Sequence, residues 1–69
     1  MKSTDIGYIN KNNQEVIRRT DIQGTDYQQR VYVVRCNKPN CGYEYGANGT
    51  DLFERMCPKC QNGAPGLSY

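Results

Sequence analysis

Four cysteines are the residues whose type and spacing promise chemistry in this chain. Cys36 and Cys41 form a C-x4-C pair, Cys57 and Cys60 form a C-x2-C pair, and fifteen residues separate the two pairs. Thiolates are soft ligands, and four of them suit one tetrahedral ion such as Zn2+, bound through sulfur at about 2.3 Å. A C-x2-C turn brings two sulfurs onto one ion, and Pro58 presets φ inside it. Asn37-Lys38-Pro39-Asn40 makes a wider first turn, still within ordinary ligand spacing. Gly42 lets the chain leave that turn in a conformation that other residues disfavour. Calcium and magnesium sites would instead need clustered oxygen ligands.

The same four sulfurs suit other chemistries. Iron in a rubredoxin-like site uses the identical ligand set, although one Phe and no Trp do not supply the usual aromatic packing. Cys57 and Cys60 also match a redox dithiol, but 69 residues cannot hold the thioredoxin fold. Structural disulfides belong to oxidising compartments. The start of the chain, Met1-Lys2-Ser3-Thr4-Asp5, lacks the apolar stretch of a signal peptide. No apolar run approaches the ~20 residues that span a bilayer. A cytoplasmic setting with reduced cysteines is therefore expected, with no membrane partner.

Catalysis is not expected. Four thiolates close the coordination shell that a catalytic metal keeps open, and the chain has no His to act as acid or base. Asp51 and Glu54 read as a solvated face, and Ser3 and Ser68 have no base beside them in sequence.

The elements that must position the cysteines have little apolar material to work with. The hydrophobic fraction is 36% and the mean hydropathy is −0.90. A core of this size supplies only about 3–5 kcal/mol, whereas structural zinc contributes about 10–16 kcal/mol. The expected fold class is accordingly small, all-β and metal-stabilised, a single domain over residues 1–69. Residues 6–10 and 15–20 read as strands of an N-terminal β-hairpin turning at Lys11-Asn12-Asn13-Gln14, since Asn tolerates left-handed backbone. Asp21-Ile22-Gln23-Gly24-Thr25-Asp26 reads as a loop. Residues 28–35, with Val31-Tyr32-Val33-Val34, give the strongest strand signal and lead into Cys36. Residues 43–56 read as a second hairpin turning at Asn48-Gly49. The last residues are too rich in Gly and Pro for a regular element.

Two cysteine turns at strand ends, joined by such a hairpin, resemble a zinc ribbon over residues 31–63. Cys57-Pro58-Lys59-Cys60 and Cys41-Gly42 carry the likeness; the x4 spacing and Gln61, where a Gly often stands, depart from it. Residues 45–51, Cys57-Pro58-Lys59-Cys60-Gln61 and Pro65-Gly66 also resemble short bacterial or phage zinc-ribbon proteins with four cysteine ligands. The chain is thus expected to divide into an N-terminal hairpin and long strand over 6–35, a zinc ribbon over 36–63 and a flexible tail over 64–69. Zinc ribbons are most often found in nucleic-acid machinery, so the resemblance implies a nucleic-acid-associated accessory or regulatory protein.

Charge alone does not argue for that partner. The formal charge is +2, but four thiolates and one divalent ion would bring the folded chain to neutrality. Residues 1–35 hold six Lys/Arg against four Asp/Glu, while residues 36–69 hold three of each, so a positive face belongs to the N-terminal half. Arg18, Arg19, Arg30, Arg35, Lys38, Arg55 and Lys59, with Tyr43 and Tyr45 among six tyrosines, make a candidate set for phosphate contact and base stacking. The competing reading puts Tyr32, Tyr43 and Tyr45 in the core and the arginines in solvent. The chain would then be a protein-interaction adaptor or a subunit of a larger complex, its exposed strand edges open to a partner strand or a second copy.

Overall fold

Val31-Tyr32-Val33-Val34 is apolar at every position, the pattern of a strand covered on both faces. In the computed structural model, which describes residues 2–23, 30–67 and 69, this segment is the middle strand of a sheet. The described strands are β1 (Gln14–Gln23), β2 (Arg30–Cys36) and β3 (Glu44–Asn48), antiparallel and in the order β1-β2-β3. The fold is thus small and all-β, as the composition requires. The first two residues of the strand expected over 28–35 lie outside the described residues, as does part of the loop expected over 21–26; Asp21, Ile22 and Gln23 belong to β1.

Successive side chains of β2 point to opposite faces. Tyr32 and Val34 join Val16, Tyr45, Ala47 and Leu52 in the core, with Tyr8 packed against it. The register places Val34 between Val16 and Tyr45, and Tyr32 between Arg19 and Ala47. Val31 and Val33, on the other face, are equally buried. The end of the chain crosses the sheet near Val31. Leu67 pairs with Gly46 at the outer edge of β3, its N–H donating to the Gly46 carbonyl at 2.8 Å. Tyr69 then lies under the Arg18 guanidinium of β1, 5.6 Å from its ring. Gly46 makes this crossing possible: a Cβ there would sit 2.5 Å from the Leu67 carbonyl oxygen and 2.8 Å from Val31 Cγ1. Leu67 and Tyr69, in the segment expected to be a flexible tail, both meet the sheet.

Residues 7–10 fold back on the start of β1. Gly7 donates to the Val16 carbonyl and Val16 to the Tyr8 carbonyl, both at 2.8 Å. The N-terminal hairpin is present, with its first arm contracted to the bridge Ile9–Glu15. Asn13 takes the left-handed φ of 62° at its turn. The Asn10 side-chain oxygen accepts from the Asn12 and Gln14 amides at 2.8 and 3.1 Å, fixing the reversal as a side-chain-capped turn.

The hairpin expected over 43–56 is not formed. Such a turn needs left-handed backbone at its central residues, and Asn48 is extended, with φ −69° and ψ 146°. The chain instead enters a 3-10 turn over Gly49–Asp51. Two constraints decide the outcome. β3 pairs with β2 along one edge and with Leu67 along the other, and Leu52 must turn inward to fill the core, where it is 2% exposed. The hairpin that matters is β2–β3, and its connection carries Cys36 and Cys41.

Leu52 closes the open side of the core, so Leu52→Ala is expected to cost about 2–5 kcal/mol. The check is the chemical-denaturation midpoint at fixed metal content, with unchanged m-value.

Candidate metal centre

The first knuckle is the β2–β3 connection. The Cys36 amide closes it by donating to the Tyr43 carbonyl at 2.9 Å, and the Cys41 amide donates to the Lys38 carbonyl at 3.2 Å. Asn40 and Gly42 flank Cys41 with φ of 64° and 68°, so the left-handed backbone expected at Gly42 is shared with an Asn. The second knuckle follows the 3-10 turn. The Lys59 and Cys60 amides both donate to Cys57 Sγ at 3.4 Å, the contact that steadies a thiolate in a tight C-x2-C turn. Gln61 and Gly63 return to the Cys57 carbonyl at 3.1 and 3.0 Å. Gly63 is required here, because a Cβ would collide with the Met56 carbonyl.

The two knuckles bring all four sulfurs within 4.8 Å of one another. Cys36 Sγ faces Cys60 Sγ at 3.6 Å, and Cys41 Sγ faces Cys57 Sγ at 3.7 Å. A tetrahedral thiolate site with metal–sulfur bonds of about 2.3 Å has edges of about 3.8 Å. The sulfurs thus stand at the spacing a single ion needs, and the cluster can hold a metal. Burial grades across it: Cys36 and Cys57 are buried, Cys41 is intermediate and Cys60 is exposed.

The thiols titrate unequally when no ion is bound. Burial pushes Cys36 up, but hydrogen bonds from the Gln14 side chain, the Lys38 backbone and the Cys60 and Cys41 thiols outweigh it and bring it down to about 7. Desolvation, then hydrogen bonding with Cys41, Cys36 and Cys57, pushes Cys60 up to about 12. One sulfur of the cluster is ready to ligate, and another must surrender a proton.

The main feature that spacing did not foretell is an amide clasp between the N-terminal turn and the second knuckle. Asn10 Nδ2 donates to the Leu52 and Arg55 carbonyls at 2.8 and 2.9 Å. Asn12 Nδ2 reaches the Glu54 and Arg55 carbonyls at 3.3 Å each. Gln61 Oε1 accepts from the Cys57 amide at 2.8 Å, while Gln61 Nε2 donates to the Asn12 carbonyl at 3.1 Å. Gln14, 1% exposed, donates to that same carbonyl at 2.9 Å and accepts from the Tyr45 hydroxyl at 2.7 Å. Asn12 and Gln14 stand in the sequence as turn residues and Gln61 as a departure from Gly. Only their convergence on the knuckle shows a supporting role.

The nine candidate binding residues divide. Arg18, Arg19, Arg30, Arg35, Lys38, Tyr43 and Lys59 lie at the surface. Arg18 and Arg19 lie on β1, Arg30 and Arg35 on β2, and Lys38 in the loop that follows. Arg35 Nη2 is 3.9 Å from a Glu15 carboxylate oxygen, a solvent-screened pair. Tyr45 and Arg55 are buried and leave the candidate surface. They build a column instead. Lys59 Nζ sits 5.9 Å from the centre of the Tyr43 ring, Tyr43 stacks on Tyr45 at 5.9 Å and 18°, and the Arg55 guanidinium covers Tyr45 at 5.1 Å. Arg55 Nη2 also donates to the Ala64 and Pro65 carbonyls. Burial pushes the Tyr45 phenol well above its ordinary range despite Arg55, so it stays a neutral donor to Gln14. Tyr27 lies outside the described residues.

No protein-family model, curated protein or solved structure matches the chain. The functional reading therefore rests on the geometry itself. No described helix is long and apolar enough to cross a membrane.

Gln14 braces Gln61, its Nε2 reaching Gln61 Oε1 at 3.4 Å, and Gln61 in turn holds the Cys57 amide. Gln14→Ala is expected to weaken metal binding about 10–100-fold, measured by competition against a chromophoric chelator. In the same assay affinity should fall as pH drops through about 7, where Cys36 takes up its proton. Binding that is flat from pH 8 to pH 6 would exclude the thiols as ligands.

Proposed function

We propose that this chain is a non-enzymatic module of zinc-ribbon type, in which one structural zinc ion is bound by Cys36, Cys41, Cys57 and Cys60. The observation that carries the reading is the pair of sulfur contacts at 3.6 and 3.7 Å between knuckles remote in sequence. A soft, all-thiolate tetrahedron suits zinc and leaves no coordination position for a substrate. Zinc makes the fold and performs no chemistry; the work falls to the surface it holds in place.

That surface is best read as a nucleic-acid-associated one. The surface residues Arg18, Arg19, Arg30, Arg35 and Lys38 occupy the paired strands β1 and β2 and the loop that follows them. Strand alternation puts Arg19 and Arg30 on one face of the sheet and Arg18 and Arg35 on the other. The Arg19–Arg30 face can contact phosphates, in an accessory or regulatory role beside a larger nucleic-acid machine. Tyr43 is no free stacking platform, because Tyr45 and Lys59 flank its ring; support for the reading comes from charge. A protein-adaptor role is the second reading, favoured by the exposed Ile6, Ile9, Phe53 and Met56. Small cytoplasmic bacterial or phage proteins are the natural setting for either.

Two measurements test these readings. Removing zinc under reducing conditions should collapse NMR dispersion in the knuckle half, since bound zinc contributes about 10–16 kcal/mol; dispersion that survives complete chelation would overturn the structural role. DNA or RNA binding should weaken steeply with salt, and Arg19→Glu with Arg30→Glu should flatten that slope by about one unit for each phosphate no longer neutralised. No binding at ~50 mM salt sinks the nucleic-acid reading and leaves the adaptor one.

A further inference from the structure

The four ligands are not equivalent. Cys36 and Cys57 are 1% and 0% exposed, whereas Cys60 faces solvent. Cys57 Sγ receives the two knuckle amides, from Lys59 and Cys60, which draw electron density from that sulfur. Cys60 is the accessible sulfur, and across the cluster it faces Cys36 Sγ at 3.6 Å.

We propose that Cys60 is the modification site through which oxidants and electrophiles enter this cluster, and that oxidation closes a Cys36–Cys60 disulfide between the two knuckles. The proposal rests on the reading that the cluster holds a metal. A hydroperoxide is the oxidant class. Ligation to the ion would hold Cys60 as a thiolate, whereas its free thiol keeps its proton. The exposed, ligated thiolate attacks one peroxide oxygen, the O–O bond breaks, and Cys60 sulfenic acid and hydroxide form. The Cys36 thiolate then attacks the Cys60 sulfur, the S–O bond breaks, and a second hydroxide leaves. Two thiolates give up two electrons and one peroxide is reduced to two hydroxides. The sulfurs close from 3.6 Å to about 2.05 Å, and with two ligands spent the cluster loses its grip on the ion.

A C-x2-C pair would ordinarily be expected to close on itself, as Cys57–Cys60. Here Cys57 Sγ already holds two amide contacts and faces Cys41 Sγ at 3.7 Å, while Cys60 Sγ faces Cys36 Sγ at 3.6 Å. The cross-knuckle bond joins the facing pair, and it keeps the end of β2 tied to the second knuckle after the ion has gone.

The experiment uses the full chain with its metal content measured first, treated with less than one equivalent of hydrogen peroxide, then alkylated and digested. Cleavage after Arg55 and after Lys59 puts Cys57 and Cys60 on different peptides. The expected result is Cys60 reacting roughly tenfold faster than Cys57, as exposure and amide bonding dictate. Cys36–Cys60 should be the first disulfide, with one ion released to a chromogenic chelator for each bond formed. A first disulfide between Cys57 and Cys60, first reaction at Cys41, or equal labelling of all four would overturn the proposal while leaving the metal site intact. A chain that binds no metal at the outset overturns the site and the proposal together.

Discussion

Everything in this molecule follows from holding four sulfurs within 4.8 Å of one another. Thiolates at that distance repel, and protonated thiols gain little by meeting, so a cation is the natural agent to keep them together. The pressure is visible in the cluster itself, where one thiol is drawn down to about 7 and another is pushed up to about 12. Neutralisation by one ion would remove the conflict and join the end of the central strand to a turn more than twenty residues later.

The rest of the polypeptide prepares that meeting. The sheet delivers the first knuckle through β2–β3, since the register that buries Val34 between Val16 and Tyr45 also sets Cys36 at the strand end. Strand pairing does not deliver the second knuckle. Side-chain amides do, with Asn10, Asn12 and Gln61 binding backbone groups from Leu52 to Cys57 and Gln14 bracing Gln61 and Tyr45. Buried amides of this kind are costly unless fully partnered, and here their donors and acceptors interlock. The Lys59–Tyr43–Tyr45–Arg55 column does the same work with ring faces, tying the second knuckle and the end of the chain to β3.

How legible this was depends on the range of each signal. Local signals read true: Val31-Tyr32-Val33-Val34 as a strand, the Asn-rich reversal before β1, and the cysteine spacing. Asn48-Gly49 misled, because the dipeptide states only a willingness to turn. The competing demand was Leu52's place in the core, which no neighbour in sequence announces. Gln14, Asn12 and Gln61 were unreadable for a related reason, being polar residues whose partners lie more than forty positions away. Arg55 shows the same limit from the other side. A cation in a hydrophilic stretch reads as surface, and only a ring face and two carbonyls from the chain's end take it inside.

Cys36 belongs to two systems at once, as the last residue of the central strand and the first ligand of the cluster. A strand that slipped by one residue would exchange its faces, and it would also carry that sulfur away from its three companions. A bound metal would therefore act as a checksum on strand alignment, since only the correct pairing would complete the tetrahedron. Such a protein could accept drift in core packing that a small metal-free sheet could not, provided the number of residues between Val16's partner and the first sulfur never changes. Its lineage would record that as free substitution along β1 and β3 and strict conservation of length at the end of β2.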